Sequence, residues 1–204
     1  PTRTILTFTP TAASLTLTVT GTVQYAQLEI GSMVSSFIPT TGVTASRNAD
    51  NASITSIPWF NQSSGTMFVE AICNAAAAPA VIQYLASISD STATNRLTIA
   101  RNASSTSLLT RVNATAVGIP TNAVNGVVSK SALAYTIVAT TSQAALAGSV
   151  GVAATTVPSA PILATRLSIG ADEPGTGSQL YGWVRNINYY NTRLPNASLQ
   201  SITT

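Results

Sequence analysis

The sequence predicts an all-β protein built as a sandwich of antiparallel sheets. Thr, Ser, Ala and Val dominate its 204 residues, and Thr and Val favour pleated, half-buried backbone. The Lys-, Glu- and Leu-rich periodic stretches that mark helices are missing. Short alternating runs are separated by turn-forming residues at 89–91, 102–105 and 125–126. Short strands at this spacing are typical of a sandwich or barrel.

The clearest alternation lies near the N-terminus. Residues 15–20 read Leu-Thr-Leu-Thr-Val-Thr, so one face is apolar and the other is all Thr. Gly21 and Thr22 separate this run from a second one at 23–30, which predicts a β-hairpin. We therefore expect an N-terminal β-hairpin arm over residues 1–38 and a linker over 39–53. The side chains expected to pair with a neighbouring subunit are Leu15, Leu17, Val19, Val23 and Tyr25.

The sandwich itself is expected over residues 54–204. Strand-like runs with period two occur at 66–73, 81–89, 96–101, 107–112, 134–139 and 180–190. Between 112 and 161 the sequence is a degenerate mixture of Ala, Val and Thr, which assigns no strand with certainty. After the last strand, Asn196 is a suitable N-cap for one short helical turn at the C-terminus.

The composition argues against an enzyme. The sequence has no His, and its carboxylates are scattered at Glu29, Asp50, Glu70, Asp90, Asp172 and Glu173. General acid–base catalysis uses His or paired carboxylates held in one pocket, and glycoside hydrolysis needs two facing carboxyl groups. Asp172 and Glu173 are adjacent, but neighbours in an extended chain point to opposite faces, and their sequence context is that of a surface turn. We expect no catalytic residue.

The sequence also offers few ligands for a metal or cofactor. Its single cysteine, Cys73, lies in an apolar strand-like run, which predicts a buried, inert thiol and excludes an internal disulfide. Zinc sites are built mainly from Cys and His. We expect no metal and no cofactor. A calcium ion held by Asp172, Glu173 and backbone carbonyls is the alternative left open.

The charge pattern bears on partners. The net charge of +3 comes from eight Arg and Lys130, which are spread along the whole chain. Nucleic-acid-binding proteins concentrate such residues to neutralise several phosphates, so we expect no nucleic-acid partner. A membrane span needs about 20 unbroken apolar residues, whereas the apolar stretch at 75–82 is interrupted by Pro79. We expect no membrane span.

Several segments together resemble one family. They are Ala-Gln-Leu-Glu-Ile-Gly at 26–31, Ser-Phe-Ile-Pro-Thr-Thr-Gly at 36–42, Trp-Phe-Asn-Gln at 59–62, and Gly182-Trp183-Val184-Arg185 through Tyr189-Tyr190 to Arg193-Leu194. The order resembles bacteriophage tail and virion structural proteins. In these, the end of a carbohydrate-binding-module-like jelly roll runs into a concanavalin A-like, laminin-G-like jelly-roll β-sandwich. The arm would then be the remnant of the preceding module. Pro195 and Ser198 replace the Ser and Glu of that family's capping box, so a weaker helix is expected.

The resemblance implies a virion structural protein exposed at the particle surface, as a capsid decoration or a tail or fibre appendage. It would act by packing and subunit assembly with other virion proteins and with copies of itself, in a homo-oligomer such as a trimer. The low charged fraction, 7% of residues, favours surfaces that pack on a partner.

The alternative function is a lectin-like receptor-binding domain that recognises host surface polysaccharide. Related lectins line loop clefts with aromatic, amide and carboxylate groups. The candidates here are Trp59, Tyr84, Asp172, Glu173, Tyr181, Trp183 and Asn188. Packing in the core or on a sheet face is the competing explanation for each aromatic residue.

Overall fold

The computed structural model describes residues 3–11, 14–30, 34–46, 50, 52–73, 82–92, 94–102, 108–118, 126–172 and 178–204. The chain divides into two compact units, Pro1–Asn48 and Ala49–Thr204. The boundary falls within the segment predicted as a linker. In the described part of the chain, no helix is long and apolar enough to cross a membrane.

The predicted β-hairpin is not found among the described residues of the first unit. The described residues between 3 and 46 form no strand, and side-chain hydrogen bonds tie the chain together instead. The Gln27 side chain accepts the Ile38 N–H at 2.8 Å, and the Glu29 carboxylate accepts the Ser35 N–H, also at 2.8 Å. These bonds from Ser35 lower the pKa of Glu29. A β-strand needs hydrogen bonds to a partner strand, and an alternating sequence does not by itself provide that partner.

The second unit confirms the predicted all-β sandwich. Its strands are β1 (Ala52–Ile54), β2 (Ser64–Cys73), β3 (Gln83–Ser89), β4 (Arg96–Arg101), β5 (Leu108–Val112), β6 (Thr115–Val117), β7 (Val128–Thr136), β8 (Thr141–Leu146), β9 (Ser149–Val150), β10 (Arg166–Ile169) and β11 (Gly182–Tyr190). The order β1-β10-β3-β4-β5-β6 forms a six-stranded sheet, and β11-β2-β7-β8-β9 forms a five-stranded sheet. The pairs within both sheets are antiparallel.

The core lies between the two sheets. Alternate residues of each strand point inward, as with Met67 and Val69 on β2, Leu97 and Ile99 on β4, and Leu133 on β7, all of which are fully buried. Every residue of β3 and β4 is buried, including those on the outer face of the six-stranded sheet. The outer face of this sheet is therefore shielded from solvent along β3 and β4.

A single helix, α1 (Asn196–Thr203), follows β11. Leu199 is fully buried and packs with Phe68, Ala132 and Ala134 on the outer face of the five-stranded sheet. The predicted short C-terminal helix is confirmed, but Asn196 is not its N-cap. Pro195 occupies that position, where its carbonyl accepts the Leu199 N–H at 3.0 Å, and no side chain caps the helix. Packing of Leu199 holds this helix in place of a cap.

Candidate functional site

Three arginines lie on the outer face of the six-stranded sheet. In the register of the sheet, Arg166 on β10 and Arg96 on β4 lie on either side of Ser89. Arg111 on β5 pairs with Thr98, the second residue after Arg96. The residues between them face the core, so these three side chains point away from it. We call this surface, with Tyr84 and Asp172, the arginine face.

Short hydroxyl side chains form the floor of the arginine face. Ser168, Ser87 and Thr98 pair in one row across β10, β3 and β4, and each is almost completely buried. The hydroxyl oxygens of Ser87 and Thr98 are 3.0 Å apart. Because these side chains are short, they leave room above the sheet for the longer Tyr and Arg side chains of neighbouring positions.

Asp172 ties several of these groups together. Its Oδ1 accepts a hydrogen bond from Ser87 Oγ at 2.7 Å, and its Oδ2 lies 3.7 Å from Nη1 of Arg96. Arg96 is nearly buried and also donates from Nε to the carbonyl of Asn113 at 3.1 Å. Burial, followed by the nearby Asp172 charge, raises the pKa of Tyr84, while Arg96 and Arg111 oppose that rise. Tyr84 therefore keeps its hydroxyl proton at neutral pH.

Arg111 and Arg166 have unused hydrogen-bond donors. Among the described residues, Nε of Arg111, both Nε and Nη2 of Arg166, and the hydroxyl of Ser168 have neither a hydrogen-bond partner nor appreciable contact with solvent. An unsatisfied buried donor costs about 1–3 kcal/mol. Among the described residues, the arginine face carries three guanidinium groups and one carboxylate, Asp172, which lies near Arg96. The planar donor fork of Arg matches carboxylate oxygens, so this face is suited to an acidic ligand.

The structure distributes the predicted ligand-binding residues over three places. Tyr84 and Asp172 come together on the arginine face. Trp183 and Asn188 lie on β11 of the five-stranded sheet, where they pair with the outward residues Ile72 and Phe68 of β2. Tyr181 is exposed just before β11. Glu173 lies outside the described residues.

Trp59 lies in a third place, a groove of about 710 Å³ between the edge strands of the two sheets. Its ring centroid is 5.1 Å from that of Tyr189. The walls are mainly aliphatic, from Ile54, Leu167, Ile169 and Ile187, and the described residues that line the groove include no charged side chain. Although this groove is large, it offers few of the polar groups that fix a sugar or other hydroxylated ligand.

Sequence reasoning missed the three arginines, because their positions are far apart along the chain. The fold gathers them into a patch that the sequence does not reveal directly. One signal was present: Arg96-Leu97-Thr98-Ile99 and Arg166-Leu167-Ser168-Ile169 share a pattern. In both, Arg and a hydroxyl residue alternate with buried aliphatic residues, which predicts that they share one sheet face.

The described residues contain no group of three or more His, Cys, Asp or Glu side chains that could hold a metal ion. Asp172, the described half of the calcium alternative, is engaged by Ser87 and Arg96. Cys73 is a buried free cysteine, and its burial raises the pKa of the thiol to about 11. The thiol is therefore protonated at neutral pH, and a protonated thiol is a poor nucleophile.

Comparison with known proteins identifies the fold. No family model and no curated protein matches the chain. The CBM40 domain of Ruminococcus gnavus IT-sialidase, bound to α2,3-sialyllactose, matches with a TM-score of 0.56 and 14% identity, over 70% of this chain and 84% of that one. An SAP-like pentraxin from Limulus polyphemus matches with a TM-score of 0.55 and 15% identity, over 70% of each chain.

The K499G mutant of NanB sialidase from Streptococcus pneumoniae matches with a TM-score of 0.62 and 15% identity, over 77% of this chain but only 27% of the sialidase. At these identities the likeness establishes a shared β-sandwich fold and does not transfer a function. None of these three structures is a bacteriophage protein.

Proposed function

We propose that the second unit is a carbohydrate-binding domain that binds an acidic glycan on the arginine face. The observation that carries this proposal is that Arg111 and Arg166, on the same sheet face as the Arg96–Asp172 pair, have unused donors. The CBM40 domain with a similar fold was solved with sialyllactose, a glycan that carries a carboxylate. This favours the lectin-like function over the virion function as the primary hypothesis.

The arginine face would bind such a glycan by charge and by fixed hydrogen-bonding groups. Arg111 and Arg166 are partly exposed, and rotation of their side chains would bring the guanidinium groups to the acidic group of the sugar. Tyr84, protonated at neutral pH, would donate to or accept from a sugar hydroxyl. Ser87 and Arg96 hold Asp172 in place, and a group that is already oriented loses less conformational entropy when the ligand binds.

We propose binding without catalysis at this face. Asp172 is the one carboxylate in the described part of the arginine face, and glycoside hydrolysis uses two. An assay for sugar release from sialyllactose checks this point. Release that disappears in Asp172→Asn would overturn it.

Calorimetric titration with 3′-sialyllactose and with lactose tests the binding proposal. We expect sialyllactose to bind at least about tenfold more tightly, because a hydrogen bond to a charged group contributes about 1.5–3 kcal/mol. Arg111→Ala and Arg166→Ala should each remove most of this discrimination. Arg3→Ala, an exposed arginine in the first unit, is the charge-matched control and should retain it.

The proposal fails if neither sialyllactose nor a panel of uronic-acid and sulfated oligosaccharides binds more tightly than lactose. It also fails if the discrimination survives in both Arg111→Ala and Arg166→Ala. Circular dichroism of each variant establishes that lost binding is not lost folding.

A second function rests on a different observation in the first unit. Its alternating apolar side chains Leu15, Leu17, Val19, Val23 and Tyr25 are all about half exposed or more. Exposed apolar side chains this close in sequence favour an interaction site, and a segment that forms no strand within its own unit can add to the sheet edge of a neighbour. We propose as this second candidate a virion-surface structural protein in which the segment pairs with an adjacent subunit.

Deleting residues 1–30 tests this second candidate. We expect the sandwich to remain folded by circular dichroism while the assembled species disappears in sedimentation or light scattering. An unchanged mass distribution would exclude the arm from assembly. Wild-type protein that is monomeric at high concentration would count against the candidate as a whole.

A further inference from the structure

The outer face of the five-stranded sheet carries a second groove, which is lined in part by polar side chains. In the register of β11 on β2, Trp183 pairs with Ile72, and Asn186 pairs with Glu70. Glu70 pairs in turn with Lys130 on β7. Helix α1 covers the far end of this sheet face with Leu199 and Ile202. We call the uncovered part, from Trp183 to α1, the tryptophan face.

The groove beside α1 has a volume of about 290 Å³. It is lined by Phe68, Glu70, Lys130, Asn186, Asn188, Tyr190 and Ile202. Small-molecule sites begin at roughly this volume. The groove is therefore of a size to take a single sugar ring, and its lining combines aromatic and aliphatic side chains with polar ones.

The polar side chains supply both donors and acceptors. The side chains of Asn186 and Asn188 are exposed, and neither makes a hydrogen bond with a described residue. Each amide offers two donors and one acceptor. The Glu70 carboxylate, 19% exposed, adds acceptors next to them. Adjacent hydroxyl groups of a pyranose both donate and accept, so this set matches their chemistry.

The charges of the tryptophan face are already paired. Arg185 Nη1 lies 3.2 Å from Glu70 Oε1, and Lys130 Nζ donates to the carbonyl of Thr204 at 3.1 Å. This differs from the arginine face, where donors of two guanidinium groups have no described partner. Among the described residues, the tryptophan face has no unused buried guanidinium donor, so it favours a neutral ligand.

Trp183 provides an apolar platform next to the groove. Its side chain is 49% exposed, and it lies beside Ile72 and Val128 at the end of the sheet away from α1. Trp183 and Asn186 are three residues apart, with a β-bulge between them, which corresponds to roughly 7–10 Å along the strand. The platform and the groove therefore lie within the length of one short oligosaccharide.

We propose that the tryptophan face is a second glycan site, which binds a neutral oligosaccharide. One ring stacks on the indole of Trp183. Another ring of the same oligosaccharide lies in the groove, where Asn186, Asn188 and Glu70 bind its hydroxyl groups. This site lies on a different sheet from the arginine face and takes a different ligand class, so it does not depend on the acidic-glycan proposal.

Nuclear magnetic resonance titration with maltose, cellobiose, lactose and chitobiose tests the site. The chain has two Trp residues, so the two indole N–H signals can be told apart with Trp59→Phe. We expect at least one disaccharide at millimolar concentration to shift the Trp183 indole signal together with the side-chain amide signals of Asn186 and Asn188. Trp183→Ala and Asn186→Ala should each weaken binding at least tenfold, while Trp59→Phe should not.

The proposal is overturned if none of the four disaccharides moves these signals. It is also overturned if the shifts of the Asn186 and Asn188 amide signals persist in Trp183→Ala. Because Trp183 is half exposed, that variant is expected to fold, which its backbone amide spectrum checks. Arg111→Ala separates the two sites. It should leave the neutral-sugar shifts intact even if sialyllactose binding is lost or was never present.

Discussion

The two outer faces of the sandwich follow the same alternation but have opposite character. On the six-stranded sheet, short hydroxyl residues alternate in position with long Arg and Tyr side chains, and β3 and β4 are buried throughout. On the five-stranded sheet, Trp183 and the amides of Asn186 and Asn188 stand exposed. The ion pairs differ in the same way. In the Arg96–Asp172 pair the arginine is nearly buried, whereas in the Arg185–Glu70 pair the arginine is exposed to solvent. The size and pairing of the outward residues, and not the strand pattern, therefore decide which ligand each face can take.

The largest expected effect comes from Gly182, at the start of β11. A Cβ atom there would lie 1.9 Å from the carbonyl oxygen of Ile72, and backbone cannot move aside cheaply. Gly182→Ala should push β11 away from β2 and lower the free energy of unfolding by roughly 3 kcal/mol or more, as measured by urea denaturation. The tryptophan face would be lost with it. Tyr181→Ala, at the exposed neighbouring residue, should change stability by less than about 0.5 kcal/mol. Equal stability of the two variants would contradict this account.

Alkaline pH should weaken the interior that both faces share. Burial raises the pKa of Cys73 from 9.0 to about 11. The unfolded thiol therefore ionises first, so stability is complete below pH 9 and falls by roughly 2–3 kcal/mol as the pH approaches 11. Burial also raises the pKa of Tyr135 and of Tyr189, which adds to the loss above about pH 10.

Urea unfolding midpoints measured from neutral pH upward test this prediction. Cys73→Ala is the control, because it should remove the part of the pH dependence that begins near pH 9 and keep the tyrosine part. A stability that is flat up to pH 11 would show that these groups are not shielded from solvent.

Loss of the carboxylate should cost more on the arginine face than on the tryptophan face. Asp172→Ala leaves the nearly buried Arg96 without its ionic partner and Ser87 without its acceptor. We expect a loss of about 1–3 kcal/mol in the free energy of unfolding. Glu70→Ala should cost less than about 1 kcal/mol, because Arg185 is more than half exposed to solvent. Equal losses in denaturant titrations would remove the distinction between the faces.

The smallest expected effect is the salt dependence of binding. Raising the ionic strength from about 0.05 M to about 0.5 M shortens the screening length several-fold. The affinity for sialyllactose should then fall a few-fold, while that for a neutral disaccharide should change by less than about twofold. Calorimetric titrations at the two salt concentrations measure both. The same salt response for both ligands would argue against the assignment of charge to one face.

The sequence located the strands that have one clearly apolar face. The predicted runs at 96–101 and 180–190 correspond to β4 and β11, because alternation between apolar and polar residues gives a strong signal. Alternation did not predict the strands between residues 112 and 161, where β6, β8, β9 and the first half of β7 lie. In β8, Ser142, Gln143, Ala144 and Ala145 are all buried. When the residues on both faces of a strand are buried, apolar and polar residues need not alternate along it, so the pattern cannot be detected.

The first unit shows the opposite error. Residues 15–20 have the strongest alternation in the sequence, yet they form no strand. Alternation states that a segment could pair, but a ladder also requires a partner strand in the right position. Within this unit, Gln27 and Glu29 instead satisfy backbone N–H groups of residues 35 and 38 through their side chains.

By itself the sequence determined the β class, the buried thiol at Cys73 and the absence of His for general acid–base catalysis, because these depend on composition and local periodicity. Tertiary structure alone decided that Arg96, Arg111 and Arg166 share one face. Period two fixes the side of a strand on which each arginine lies. The order β10-β3-β4-β5 brings residues from distant parts of the chain side by side, and strand order is set by packing across the whole sandwich.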